Sequence, residues 1–84
     1  MNHTLINECI HYKGRDFYVI HIIKNSVASI NEDYVYFDSL LLAYSEEFCE
    51  KHLYIVRIVY RHYIGGNNII LNIPKVEKVN CIIK

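Results

Sequence analysis

The side chains best suited to chemistry in this sequence belong to five histidines and three cysteines. Cys9 and His11 alternate onto one side of a predicted strand, and Cys49 and His52 lie one helical turn apart in a predicted helix. Structural zinc sites usually combine two closely spaced pairs, such as C-x-x-C with a second pair further along, and that spacing is absent. We therefore expect no metal site and no bound cofactor.

Nucleophilic catalysis has no signature either. Cys9, Cys49 and Cys81 each stand among apolar residues, which is the usual setting of an inert buried thiol. No glycine-flanked nucleophile is present. The two glycines at 65–66 are not followed by the lysine and helix of a phosphate-binding loop. The sequence thus favours a protein without catalytic activity, and we assign no catalytic residue.

The most enzyme-like group is Arg57, Arg61, His62 and Tyr63, all in one predicted strand. Basic side chains bind phosphate, while histidine or tyrosine can transfer a proton. Small ribonuclease toxins of similar length use these residue types on a sheet, although this chain is only loosely similar in element order and carries no toxin motif. Strand alternation also places His62 on the face opposite the two arginines.

The alternative functional hypothesis is therefore a small nucleic-acid-acting protein, either a toxin-like ribonuclease or a single-strand binder. Arg57, Arg61 and Tyr63 would contact phosphates and stack on bases. The simpler interpretation of both arginines is a solvated strand face, or pairing with acids from the middle of the chain.

Charge is balanced overall but unevenly distributed. Nine basic and nine acidic residues give a net charge of zero, whereas general nucleic-acid binders are normally basic. From Asn25 to Glu50 there are six acids and no lysine or arginine, and from Lys51 onward there are six bases and one acid. A strongly acidic middle segment suits docking on a basic partner.

An amphipathic helix is predicted within this acidic segment. Asp38 is suited to the N-cap, and Leu40 to His52 follows a helical period. The apolar side of the helix carries Leu40, Leu41, Tyr44, Phe48 and His52. Glu46, Glu47 and Glu50 share the opposite side and form an acidic helix face.

Strands are predicted on both sides of this helix. Thr4–Tyr12 and Phe17–Lys24 form a hairpin around a type II′ turn at Gly14 and Arg15, which sets Lys13 opposite Asp16. The segment 27–30 is compatible with a short edge strand, and a short strand is predicted at 34–37. Three more strands are predicted at 53–64, 69–73 and 76–83, with a Gly-Gly-Asn-Asn turn after the first of these three. The prediction is one α+β domain over residues 1–84, in which one helix covers an antiparallel sheet of about five strands.

The composition points to binding. An 84-residue chain that is 52% hydrophobic leaves apolar residues exposed, and eight tyrosines exceed the needs of a small core. Tyrosine is common at binding hot spots. We predict a non-enzymatic protein-binding module and homodimer, with Glu46, Glu47, Glu50, Tyr54 and Tyr60 in contact with a protein partner.

The setting of this module is inferred from weaker signals. The lack of glutamine and tryptophan, with abundant Ile, Tyr, Asn and Lys, is typical of AT-rich coding and suggests a phage- or virus-encoded inhibitor of a host system. No signal peptide or apolar run of about 20 residues is present. We expect a cytoplasmic protein that makes no membrane contact.

Overall fold

Five antiparallel strands form a single sheet in the computed structural model, which describes residues 5–79. Their order in the sheet is their order in the chain: β1 (Cys9–Tyr12), β2 (Arg15–Ile30), β3 (Tyr34–Glu47), β4 (Glu50–Tyr63) and β5 (Asn68–Lys78). The prediction of an α+β fold is wrong, because residues 5–79 are all-β and contain no helix. Residues 5–79 therefore also contain no helix that could span a membrane.

The predicted helix from Asp38 to His52 is instead the second half of β3, a tight turn and the start of β4. Every second residue of β3 from Phe37 to Ser45 is buried, and the residues between them are half-buried. Leu40 and Leu41, expected on one side of a helix, therefore lie on opposite faces of the sheet. Because residues 40–43 are all apolar, they fit the period of a helix and the alternation of a strand equally well. Pairing with β4, whose side chains alternate strongly between the two faces, selects the strand.

The first hairpin forms as predicted but in a different register. Lys13 and Gly14 form its two-residue turn with φ values of 49° and 76°, which are the two left-handed positions of a type I′ turn. The expected type II′ turn and the Lys13–Asp16 pair are therefore wrong. Asp16 lies opposite His11 instead.

One face of the sheet, here called the inner face, carries the hydrophobic core. The predicted alternation of β4 is confirmed, since its even-numbered residues from 54 to 60 are all buried. The core comprises Leu5, Ile10, Phe17, Val19, Phe37, Leu41, Ala43, Tyr54, Val56, Ile58 and Tyr60. Because no helix covers this face within the described residues, the sheet curls over it. A cleft of about 600 Å³ separates β1 from β5.

Strand ends differ from prediction in two further places. β2 runs without interruption to Ile30 and so includes the predicted short strand at 27–30. β5 continues through Pro74 to Lys78, where two strands were predicted, and proline is tolerated there because β5 is an edge strand. The remainder of the last predicted strand, with Cys81, lies outside the described residues.

Substituting leucines on the two faces of β3 distinguishes this strand from a helix. Leu41 is fully buried, so Leu41→Ala should reduce the free energy of unfolding by about 3 kcal/mol through the cavity it leaves. Leu40→Ala, on the half-buried opposite face, should cost about 1 kcal/mol. Urea unfolding measures both values. Equal losses would indicate that the two leucines share one buried side, as in a helix.

Candidate functional site

Arg57 lies on the outer face of the sheet, opposite the core, and its positive charge is paired there with a carboxylate. Its Nε donates to Asp38 Oδ1 at 3.0 Å and its Nη2 donates to Asp38 Oδ2 at 2.6 Å. These two hydrogen bonds hold the pKa of the Asp38 carboxyl below its ordinary value. Pairing with an acid of the middle segment, one of the simpler interpretations of this arginine, is confirmed.

Arg61 is enclosed by tyrosines on the same face. Its guanidinium carbon lies 4.7, 5.1 and 5.7 Å from the ring centroids of Tyr34, Tyr36 and Tyr63. Nη1 donates to the Tyr63 hydroxyl at 2.7 Å and Nη2 donates to the Tyr36 hydroxyl at 3.0 Å, and the Tyr63 hydrogen bond raises the pKa of Arg61. Such cation–π packing binds the arginine into the sheet.

The predicted nucleic-acid surface is therefore assembled in space but engaged internally. Arg57, Arg61 and Tyr63 share the outer face, yet Arg57 donates to Asp38 and both terminal nitrogens of Arg61 donate to tyrosine hydroxyls. The Arg61 Nε atom is buried and has no hydrogen-bond partner within residues 5–79. His62 alternates to the other face, where its Nδ1 lies 2.8 Å from Asn68 Oδ1. The grouping of arginine and histidine that a ribonuclease would need is not formed on one face.

Tyr54 and Tyr60, predicted to contact a partner, lie in the core. Their exposed fractions are 5% and 0%, and burial raises the pKa of Tyr60. The Tyr54 hydroxyl accepts from Arg15 Nη2 at 2.7 Å, and the Tyr60 hydroxyl donates to Asn25 Oδ1 at 3.4 Å. Both side chains therefore contribute to the core and offer almost no surface to a partner.

The three predicted docking glutamates meet at the end of the β3–β4 hairpin. We call residues 46–50 the hairpin tip. Glu46, Glu47 and Glu50 are all exposed there, although no helix presents them. Between them is Phe48, whose side chain is 93% exposed and which was expected on the apolar side of a helix.

Three features of the hairpin tip oppose stability. Phe48 and Cys49 have φ values of 52° and 65°, a left-handed region that costs non-glycine residues about 1 to 2 kcal/mol each. Glu47 and Glu50 are direct cross-strand neighbours of like charge. The Phe48 ring is left in water. Strain and an exposed ring within five residues are typical of a functional site.

Nearby basic groups offset only part of the charge at the hairpin tip. Arg15 Nη2 lies 4.0 Å from Glu47 Oε2, but the same guanidinium also lies over the Tyr54 ring and donates to its hydroxyl. His52 Nε2 lies 3.6 Å from Glu50 Oε2. Glu46 makes no ion pair with any residue in the described range 5–79. The tip therefore combines an exposed phenyl ring with an excess of carboxylates.

A second exposed feature is the open edge of β2. β1 pairs with β2 only as far as Tyr18, so residues 20–30, here called the β2 edge, have one neighbouring strand within the described chain. The β2 edge carries Ile20, Ile23, Val27 and Ile30, which are 43% to 74% exposed. Only bulges in the β2–β3 register and Lys24 shield it. Long apolar edges of this kind favour pairing with another strand.

Comparison with known proteins identifies no relative. No protein-family model matches the chain, and no curated protein or solved structure is detectably similar to it. The hairpin tip and the β2 edge are therefore the features from which a function is inferred.

The backbone strain at the tip is measurable. Replacing Phe48 with Asn and Cys49 with Gly supplies the preferred pair for a type I′ turn, and should raise the free energy of unfolding by about 1 to 3 kcal/mol. Urea unfolding of the double variant beside the wild type measures this gain. A loss of stability would contradict the turn, since Asn-Gly disfavours a helix at the same position.

Proposed function

We propose that the protein is a protein-binding module whose principal contact is the hairpin tip. The observation that supports this most strongly is Phe48, an aromatic side chain 93% exposed on a left-handed turn residue. Stability alone would favour glycine or asparagine at this position and a polar side chain in water. A bound state in which the ring is buried would explain a phenylalanine at this position.

The composition of the hairpin tip defines the complementary surface. Aromatic side chains that fill a pocket are typical binding hot spots, so the partner offers an apolar pocket of phenyl size. Glu46, Glu47 and Glu50 surround Phe48, and lysines or arginines on the pocket rim would match them. Charge complementarity of this kind accelerates and orients docking.

This proposal keeps the glutamates selected from the sequence and replaces their helix with a hairpin turn. The nucleic-acid alternative has less support, because Arg57 is paired with Asp38 and both terminal nitrogens of Arg61 donate to tyrosine hydroxyls. The third Arg61 donor, Nε, has no partner within the described residues but is buried. Inhibition of a host system remains a prediction from the sequence.

Site-specific photo-crosslinking tests the hairpin tip. Benzoylphenylalanine in place of Phe48, in cells of the natural source, should form a defined adduct with one protein. The adduct should disappear when Glu46, Glu47 and Glu50 are changed to Lys, because the docking charge is reversed. The control is the same photo-reactive residue at Ile64, which is 67% exposed and lies in the β4–β5 turn. The same adducts at both positions, or an adduct unaffected by charge reversal, would contradict the proposal.

We also propose that two copies associate through the β2 edge. The exposed apolar residues of the β2 edge are placed symmetrically about Asn25. Ile23 and Val27 lie two positions from it, and Ile20 and Ile30 lie five positions from it. An antiparallel second copy aligned on Asn25 would place Ile20 beside Ile30 and Ile23 beside Val27. The same alignment sets Lys24 opposite a serine and His21 opposite a serine, so no like charges are direct cross-strand neighbours.

The dimer would leave both hairpin tips uncovered. Tyr18 pairs with Tyr44 near the hairpin tip, whereas the β2 edge extends in the other direction towards Ile30. Pairing about Asn25 therefore places the two tips at opposite ends of the assembly, where each would reach a partner.

Sedimentation equilibrium tests this association. The wild type should be dimeric, and the variant with Ile23→Lys and Val27→Lys should weaken the dimer at least roughly tenfold, because charge at a strand edge blocks pairing. The matched control changes Ile69 and Leu71 to Lys on β5, the other edge strand, where their exposed fractions are 47% and 43%. A monomeric wild type, or equal weakening by the control, would overturn the dimer.

A further inference from the structure

Three potential metal ligands converge at the β1–β2 hairpin. Cys9 and His11 alternate onto the outer face of β1, and Asp16 is the direct cross-strand neighbour of His11. The Cys9 Sγ atom, a His11 ring nitrogen and an Asp16 carboxylate oxygen all lie within 4.8 Å of one another. His11 Nδ1 is already in contact with Asp16 Oδ1.

This cluster depends on the register of the first hairpin. The predicted type II′ turn sets Lys13 opposite Asp16, where an ammonium group would neutralise the carboxylate. The type I′ turn at Lys13 and Gly14 moves the register by two residues and brings Asp16 to His11. The Lys13 ammonium instead lies 5.3 Å from the ring centroid of Tyr12.

We propose that Cys9, His11 and Asp16 form a zinc-binding site. A thiolate, an imidazole and a carboxylate are the three ligand types that zinc takes in proteins, and mixed sulfur, nitrogen and oxygen ligands do not suit magnesium or calcium. Three protein ligands leave a fourth tetrahedral position for water. On binding, Zn²⁺ would displace the proton of the Cys9 thiol to solvent and balance the charge of the resulting thiolate and of the Asp16 carboxylate.

The geometry requires only side-chain adjustment. Neighbouring ligand atoms around tetrahedral zinc are about 3.3 to 3.8 Å apart, so atoms now separated by up to 4.8 Å must close by roughly 1 Å. His11 Nδ1 and Asp16 Oδ1, which are in direct contact, must instead separate if both bind the ion. The His11 and Asp16 side chains are 77% and 50% exposed and can reorient, while the tight turn fixes their backbones. An open cleft of about 560 Å³ lies beside the site and includes Asp16 and Tyr18 in its lining, so the Asp16 carboxylate is reached from solvent.

The second cysteine–histidine pair does not compete for this role. Cys49 lies exposed in the hairpin tip and His52 contacts Glu50. Within residues 5–79, Cys9, His11 and Asp16 are the group whose ligand atoms approach closely enough to hold an ion.

Cobalt substitution tests the site on the full chain. Co²⁺ added to a variant with Cys49→Ser and Cys81→Ser, which keeps Cys9 as its one cysteine, should give the d–d bands of a tetrahedral complex and a thiolate-to-cobalt charge-transfer band. Zn²⁺ should displace the cobalt and raise the thermal midpoint, because it binds the folded state. Absence of both bands would overturn the proposal.

Single substitutions in this background assign the ligands. Cys9→Ser should abolish the charge-transfer band, and His11→Ala and Asp16→Asn should each weaken Zn²⁺ binding at least roughly tenfold. His21→Ala, an exposed histidine on β2, is the control and should leave affinity unchanged. Circular dichroism of each variant without metal verifies that it folds. If Cys9→Ser does not fold, the isosteric variant Asp16→Asn still tests the site. Unchanged affinity in Asp16→Asn and His11→Ala would overturn the site.

Discussion

The continuous pairing of β3 with β4 is the interaction on which the rest of this structure depends. The register runs without a shift from Tyr34 opposite Tyr63 to Glu47 opposite Glu50. The strand pairs on either side, β2 with β3 and β4 with β5, contain register shifts. Bulges bend and twist a strand pair, so a straight central ladder with irregular flanks lets one sheet curl over its own apolar face. The buried Ser39 hydroxyl assists by donating to the carbonyl of Lys24 beside one of these shifts.

Both proposed interaction surfaces follow from this arrangement. Because the ladder stays paired as far as Glu47 and Glu50, only two residues remain to reverse the chain, and Phe48 is forced into a strained and exposed position. Because β1 is four residues long and β2 is sixteen, residues 20–30 of β2 pair only with β3 within the part of the chain that the structure describes. The same short hairpin brings Cys9, His11 and Asp16 together.

The sequence was informative where patterns were strong and local. The alternation of β4 predicted its buried face, the Gly-Gly-Asn-Asn segment predicted the turn before β5, and the acid-rich middle segment supplied a partner for Arg57. The helix was predicted because residues 40–43 are apolar at every position and fit either period. Phe48 and Cys49 gave no turn signal, since type I′ turns normally contain asparagine and glycine.

Other features depend on contacts that a single sequence does not encode locally. A choice between two turn types for one Lys-Gly segment decides whether Asp16 faces Lys13 or His11, and therefore whether ligands converge. Tyr54 and Tyr60 fit a binding surface by residue type, yet a sheet without a helix needs them for its core. In both cases, contacts made in the folded sheet outweigh the intrinsic preference of the residue type.

Nuclear magnetic resonance contacts between β3 and β4 test the central ladder most directly. We expect short cross-strand contacts between backbone protons of Leu41 and Val56 and between those of Ala43 and Tyr54, with extended backbone couplings through residues 38–47. Contacts three residues apart along 40–52, with none across to residues 54–56, would indicate a helix and contradict the sheet, the hairpin tip and the function proposed for it.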